Sequence, residues 1–385
     1  MPLADGLLRA DQLQAPEPKY ALEVAICSDC SLVQILDTVP PEKLYQDAYP
    51  YYSSFSDALL AHSRENVESL IAAQGLDESS LVVELASNDG YLLQYYLPHK
   101  VTVLGIDPAE GPAIAAREKG VNTLNAFFGI ELAKELVANG TRADVVHGNN
   151  VLAHVADLNG FVEGISILLK ENGVAVIEVP YVVDLIDHCE FDTIYHEHHC
   201  YFSVTSLTNL FKRHGLSLNQ VQPLNIHGGS LRLFVGRTED VQHSVVDLLK
   251  NEEERGVTRF GYYRDFGQRV MSLKGELLEI LHSMRREGKR MAGYGAAAKG
   301  AILLNYFGIG KDLLEFVADR NVHKQGRYMP GVHIPVVDPA RIRQDMPDCV
   351  LILPWNFKDE IMEQQADYRA AGGKFLVPIP EPRFF

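Results

Sequence analysis

The chain is punctuated by short apolar runs that end in small or polar residues. Leu81-Val82-Val83-Glu84-Leu85 reads as a buried strand and runs into Ala86-Ser87-Asn88-Asp89-Gly90, with a helix expected to open at Tyr91. Val101 to Ile106 is the next strand and ends in Asp107. A helix near 112–119 precedes Val121 to Leu124, and Asp144 to His147 predicts a fourth strand. Helix 157–170 and strand Val174 to Val179 make the fifth unit; helix 205–214, strand 216–222 and strand Ser230 to Val235 complete a seven-strand layout. The order strand, glycine-containing turn, helix, strand, acid is that of a doubly wound nucleotide-binding sheet. Residues 63–78 read as a helix before it. Residues 245–288 are largely helical, with Leu273, Leu277, Leu278 and Leu281 at helical spacing, and link to a second α/β unit. There strand Arg290 to Ala292 meets Gly293-Tyr294-Gly295-Ala296-Ala297-Ala298-Lys299-Gly300, and strand Leu314 to Ala318 ends in Asp319. The expected division is 1–62, an irregular N-terminal subdomain, then 63–240 and 241–385.

Composition narrows this little. The 385 residues are 46% hydrophobic, with no internal repeat or biased segment, so a substantial core is affordable. No run approaches a membrane span and the first residues lack a signal-peptide pattern, which predicts a cytoplasmic protein. Five cysteines without a scaffold rhythm fit a reducing compartment. A formal charge of -16 argues against nucleic-acid or anionic-membrane binding.

The chemistry lies in the turns. Glu84 and Asp89 would repel a phosphate, whereas the ammonium and sulfonium of S-adenosylmethionine suit a loop of carboxylates and amides. Ala86, Ser87, Asn88 and Gly90 complete that loop, and Asp107 is placed to accept from ribose hydroxyls. Phe127 and Phe128 could cover an adenine face or pack in the core. Asn149, Asn150 and His154 follow the fourth strand, where open α/β sheets bind ligands. Tyr195-His196-Glu197-His198-His199-Cys200-Tyr201-Phe202 crowds three histidines, a carboxylate and two phenols into one stretch. In an extended segment Tyr195, Glu197 and His199 would share one face. Proton transfer, a metal and a hydrogen-bonded polar loop compete for it. Gly-x-Gly-x-x-Ala with Asp319 about 20 residues on is a dinucleotide fingerprint, and Lys299 at its helix N-terminus favours a phosphate. Trp355 is a stacking platform or simple packing. Cys27-x-x-Cys30 is half of a four-thiolate zinc site.

Taken together these stretches resemble the sugar C-methyltransferases of deoxysugar and antibiotic biosynthesis. The match runs through Cys27-x-x-Cys30, Tyr51-x-Ser53-Ser54, residues 84–90, Asn149 to His154, Tyr195-His196-Glu197-His198, His227-Gly228-Gly229-Ser230-Leu231-Arg232 and 293–300, covering essentially the whole chain. The resemblance implies a small zinc domain, a seven-stranded Rossmann-like S-adenosylmethionine domain and a C-terminal Rossmann-like domain, with a thymidine-diphosphate keto-sugar between the last two. It implies that Tyr195, Glu197, His198 and His154 line the sugar site. The family carries a second Cys-x-x-Cys before the position of Pro2; without it, no stoichiometric zinc is expected on Cys27 and Cys30.

The expected reaction is methylation of a carbon beside a ketone, through an enolate, with His198 as base and Tyr49 or Tyr51 as its competitor. Tyr51, Ser53, Ser54, His227, Arg232, Tyr294, Lys299, Asp319 and Trp355 are the expected substrate contacts, with the diphosphate at Lys299. A monomer is expected. An NAD-dependent sugar oxidoreductase and a nucleotide-sensing module are the rival readings.

Overall fold

The computed structural model describes residues 1–44, 52–226 and 228–385. Tyr49, Tyr51 and His227 therefore lie outside the described residues. The strands run β1 (Val24–Ile26), β2 (Val33–Ile35), β3 (Leu81–Leu85), β4 (Thr102–Asp107), β5 (Thr123–Asn125), β6 (Ala143–Asn149), β7 (Leu169–Pro180), β8 (Cys200–Tyr201), β9 (Ser217–Leu224) and β10 (Ser230–Gly236). They continue with β11 (Met291–Tyr294), β12 (Val317–Ala318), β13 (Val336–Val337), β14 (Cys349–Ile352), β15 (Lys374–Val377) and β16 (Arg383–Phe384).

The central sheet has seven strands in the order β5-β4-β3-β6-β7-β10-β9. All pairings are parallel except those of β10, which is antiparallel to both neighbours. The order reverses between β3 and β6, so the carboxyl ends of β3, β4 and β6 open onto one crevice. Val82, Val83 and Leu85 of β3 are fully buried, as expected of a strand covered on both faces. The helix over this face runs Asp57–Gln74, starting earlier than its apolar pattern suggests, because Ser56 caps it through Leu59 N and Gly75 closes it in the left-handed conformation.

The helix expected at Tyr91 does not form. Two 3-10 turns, Leu93–Tyr95 and Leu97–His99, stand in its place. Pro98 lacks the N–H a longer helix would need and disfavours helical geometry at Leu97. Leu92, Leu93 and Tyr96 are buried all the same, so the turns fill the space of a helix.

The second large sheet, β13-β12-β11-β14-β15-β16, is parallel apart from β16. The N-terminal residues pack on the rest of the chain. Ala4 and Leu7 pack into the core of this C-terminal sheet, and Leu8 bridges to Tyr328. The third sheet, β1-β2-β8, takes its last strand from the Tyr195–Phe202 stretch. No helix among the described residues is long and apolar enough to cross a membrane.

Candidate active site

Two groups of buried polar atoms lack partners among the described residues, whereas buried polar groups are otherwise almost always paired. The first is at the carboxyl ends of β3, β4 and β6: Glu84 Oε2, Ser87 Oγ, Asp89 Oδ1, Asn149 Oδ1 and Asn150 Oδ1. The second lies around the Tyr195 stretch and the C-terminal sheet: Asp192 Oδ1, His196 Nδ1, His199 Nδ1, Tyr201 OH and Asn356 Nδ2.

The first group is built by a strained loop. Ala86 and Asn88 have φ of 55° and 47°, and Gly90 has φ of 75°. A Cβ on Gly90 would stand 3.0 Å from Val121, so only glycine lets the loop turn back onto β5. Asp107 fixes the loop: one oxygen accepts Asn88 N and the other Ala109 N, each at 2.8 Å. Burial pushes the Asp107 carboxyl up to about 6. Burial, and then the Asp107 charge, hold Glu84 well above the ordinary carboxylate range. Lys119 pairs with Asp89 at 2.9 Å and donates to Ser54 Oγ at 2.7 Å, and Ser53 N donates to Asn88 Oδ1 at 2.9 Å. Ser53 and Ser54, expected at the substrate, thus brace the first loop. Phe128 packs edge-on against Phe161 at 5.3 Å, which makes it a core residue, whereas Phe127 is 64% exposed.

The second group departs from an extended strand. His198 N donates to Tyr195 O at 2.9 Å, closing a turn that brings residues three apart together. Tyr195 OH and His198 Nε2 are 2.7 Å apart, while His198 Nδ1 lies 2.9 Å from the Thr193 carbonyl. A carbonyl only accepts, so Nδ1 carries the proton and Nε2 accepts from the phenol. The ring of His154 stands edge-on to His198 at 4.7 Å. Burial, then the neighbouring His154, hold the His198 imidazole well below its usual value; burial lowers His154 to about 4. The alternation expected for this stretch fails because the turn replaces it. Glu197 lies away from Tyr195, beside Asp5 and Lys324, with burial and then Asp5 raising its carboxyl well above normal.

The N-terminal segment holds both ends of this turn. His196 Nε2 donates to Ala21 O at 3.0 Å, Ile35 N donates to His199 O at 3.0 Å, and Cys200 and Tyr201 pair with Gln34 and Val33. His199 N also donates to Ala153 O at 2.6 Å, tying the turn to the loop after β6 that carries His154.

The remaining expected residues separate. Arg232 Nε donates to Glu178 Oε1 at 2.7 Å, and His62 Nε2 sits 2.9 Å from Glu178 Oε2. This buried triad follows from register, since Arg232 and Glu178 are paired across β10 and β7. Burial pushes Glu178 up, but His62 and Arg232 outweigh it and hold the carboxyl below its usual range. Asp319 turns inward and accepts Ala296 N at 2.7 Å, and Tyr294 donates to Gln364. Lys299 is not left open at the helix N-terminus. Its Nζ donates to Asn356 Oδ1 at 2.9 Å and lies 4.6 Å from the centre of the Trp355 ring. Trp355 Nε1 in turn donates to Asp192 Oδ2 at 2.9 Å. The sequence reading missed Asp192, Glu178, His62 and Asn356, which are single polar residues in unremarkable contexts.

Cys27 and Cys30 are both free. Among the described residues, no three His, Cys, Asp or Glu side chains gather as a metal site. Two thiols do not make the four-ligand set of a structural zinc.

Family models match three successive stretches of the chain. Residues 1–45 match a family described as a zinc binding domain, 59–221 match "Methyltransferase domain", and 225–380 match "C-methyltransferase C-terminal domain". The C-methyltransferase NovU of Streptomyces niveus is 35% identical, over 99% of this chain and 91% of its own length. The chain belongs to the C-methyltransferase family. Among solved structures, the C-methyltransferase chain is similar to the 1,6-didemethyltoxoflavin-N1-methyltransferase of Burkholderia thailandensis (20% identity, 56% of this chain and 100% of that one, TM-score 0.39). It is also similar to the magnesium protoporphyrin IX methyltransferase of Synechocystis (16% identity, 51% and 92%, TM-score 0.38).

Proposed function

We propose that this C-methyltransferase moves the methyl group of S-adenosylmethionine to a carbon beside the ketone of a thymidine-diphosphate-linked keto-deoxysugar. The observation that carries the reading is the Tyr195–His198 pair, a phenol hydrogen-bonded to a neutral imidazole whose other nitrogen is fixed on a carbonyl. Such a pair moves a proton without a metal.

The residues fit the methyl donor. Glu84, Ser87, Asp89 and Asn149 offer unpartnered polar atoms to an ammonium and to hydroxyls, and Asp107 is a fixed acceptor at the end of β4. When bound, the donor supplies an electrophilic methyl on sulfonium. The chain's own work is to make the carbon nucleophilic. The Tyr195 oxygen takes the proton beside the ketone as its own proton passes to His198 Nε2. The C–H electron pair becomes a C=C bond and the carbonyl π pair moves onto oxygen. With the methyl donor bound, the enolate carbon would be the nucleophile that displaces the methyl from sulfur; the ketone returns as that C–C bond forms, and His198 loses its proton to solvent. Burial and the neighbouring His154 favour the neutral His198 imidazole, the form that can accept the phenol proton.

The NAD-oxidoreductase reading fits less well. Gly295 and Gly300 are accounted for by packing, since a Cβ would stand 2.4 Å from Pro354 and 2.8 Å from Leu353. Calorimetric titration with S-adenosylmethionine and with NAD tests the choice, followed by turnover of thymidine-diphosphate-4-keto-6-deoxyglucose. Binding of NAD but not of S-adenosylmethionine would sink the proposal.

A further inference from the structure

Lys299, Asn356, Asp192 and Trp355 form a cluster that the proton-transfer pair leaves unused. Lys299 can only donate, so the amide of Asn356 turns its oxygen to Nζ and leaves Nδ2 as a buried donor without an acceptor. Asp192 gives Oδ2 to Trp355 and leaves Oδ1 as a buried acceptor without a donor. Each orphan is unfavourable unless a ligand satisfies it. Burial lowers the Lys299 ammonium below its usual value, and Asp192 and then Glu190 offset part of that by favouring the charged form. Gly228, at φ 98°, passes close against the cluster: a Cβ there would stand 2.5 Å from Trp355 and 2.6 Å from Glu190.

The cluster adjoins the base. Asp192 and Thr193 share one 3-10 turn, and the Thr193 carbonyl holds His198. The Lys299 charge is felt at His198, together with those of His154 and His199. An anion forming opposite Tyr195 therefore has one cation and one unpartnered amide donor at hand.

Resting on the enolate reading above, we propose that Lys299 Nζ and Asn356 Nδ2 hold the ketone oxygen of the sugar and stabilise it as the enolate. Asp192 Oδ1 accepts from a hydroxyl of the same ring, and its link to Trp355 keeps the ring beneath the ammonium. The oxygen carries a full negative charge only after the proton leaves, so donors fixed beforehand act mainly on the barrier.

The test uses the whole enzyme with thymidine-diphosphate-4-keto-6-deoxyglucose, following methyl transfer and, without methyl donor, entry of solvent deuterium beside the ketone. Lys299→Met should lower kcat and the exchange rate together by about a hundredfold or more. Asn356→Ala, at a partly exposed position, should lower both by about tenfold or more and guards against a folding defect in the lysine variant. S-adenosylhomocysteine affinity should be unchanged in both. Wild-type exchange in both variants, or a raised KM with kcat intact, overturns the assignment. If wild-type enzyme neither methylates nor exchanges this probe while binding S-adenosylmethionine, the fault lies in the substrate reading, and the oxyanion assignment falls with it.

Discussion

Replacing Asp107 separates cofactor binding from everything else in the molecule. Its two oxygens already accept Asn88 N and Ala109 N, each at 2.8 Å, which leaves one further lone-pair site on each for ribose hydroxyls. A hydrogen bond to a charged acceptor contributes about 1.5–3 kcal/mol, so losing one weakens binding by about 10- to 150-fold. Asp107→Ala should therefore raise the Kd for S-adenosylhomocysteine at least tenfold, and the freed loop N–H groups push the effect toward the upper figure. Folding stability should change less, because burial already disfavours the Asp107 charge and raises its carboxyl to about 6. That shift gives a second readout. Ribose hydroxyls bind the ionised carboxylate, so the complex favours its deprotonated form. Affinity should be constant above pH 7 and fall below about pH 6, by up to about tenfold per unit. Calorimetric titration from pH 5 to 8 on wild type and variant reads both effects. An unchanged Kd, or an acid-side decline that survives in the alanine variant, would refute the role given to Asp107.

Tyr195→Phe removes the donor to His198 Nε2 and should cut methyl transfer about 10²- to 10⁴-fold with cofactor affinity intact; a wild-type turnover number would make the phenol a spectator. The acid-side inflection of wild-type kcat/KM should lie below 6.5, because burial and His154 lower the His198 imidazole; an inflection at or above 6.5 would contradict that. Arg232→Leu leaves the buried Glu178 carboxylate with His62 alone and should cost up to about 3–5 kcal/mol by urea unfolding, with a loss under about 1 kcal/mol placing the triad in a wetter setting than its burial implies. Elemental analysis of the purified chain should find well under one zinc per molecule, and a full equivalent would require two more ligands beside Cys27 and Cys30.

Much of the scaffold was readable because it rests on local signals. The run Leu81 to Leu85 ending in residues 86–90 announces a buried strand and a tight turn, and Asp107 at the end of the next strand follows from topology. Pro98 was equally visible and should have stopped the helix expected at Tyr91. The chemistry was only partly legible. The pattern around Tyr195 carries no apolar period, so nothing in it distinguishes a strand from the turn that joins Tyr195 to His198. Asp192 and Asn356 are 164 positions apart and meet only through Trp355 and Lys299. Arg232 reads as a ligand contact by its neighbours, but strand register delivers it to Glu178. Lys299 reads as a phosphate contact by its place after a glycine-rich loop, but Asn356 and Asp192 claim it.

The pairing of β2 with β8 has a consequence for how this protein can be divided. Sequence families draw a boundary between residues 45 and 59. The hydrogen bonds ignore it: Ala21, Gln34 and Ile35 hold His196, Cys200 and His199 from across that line. A central segment expressed alone would keep its seven-stranded sheet and lose the frame around His198. The first forty residues are thus no detachable appendage. They behave as a splint on the turn that joins Tyr195 to His198, and recombination or truncation at the family boundary would leave that turn without its supporting strand.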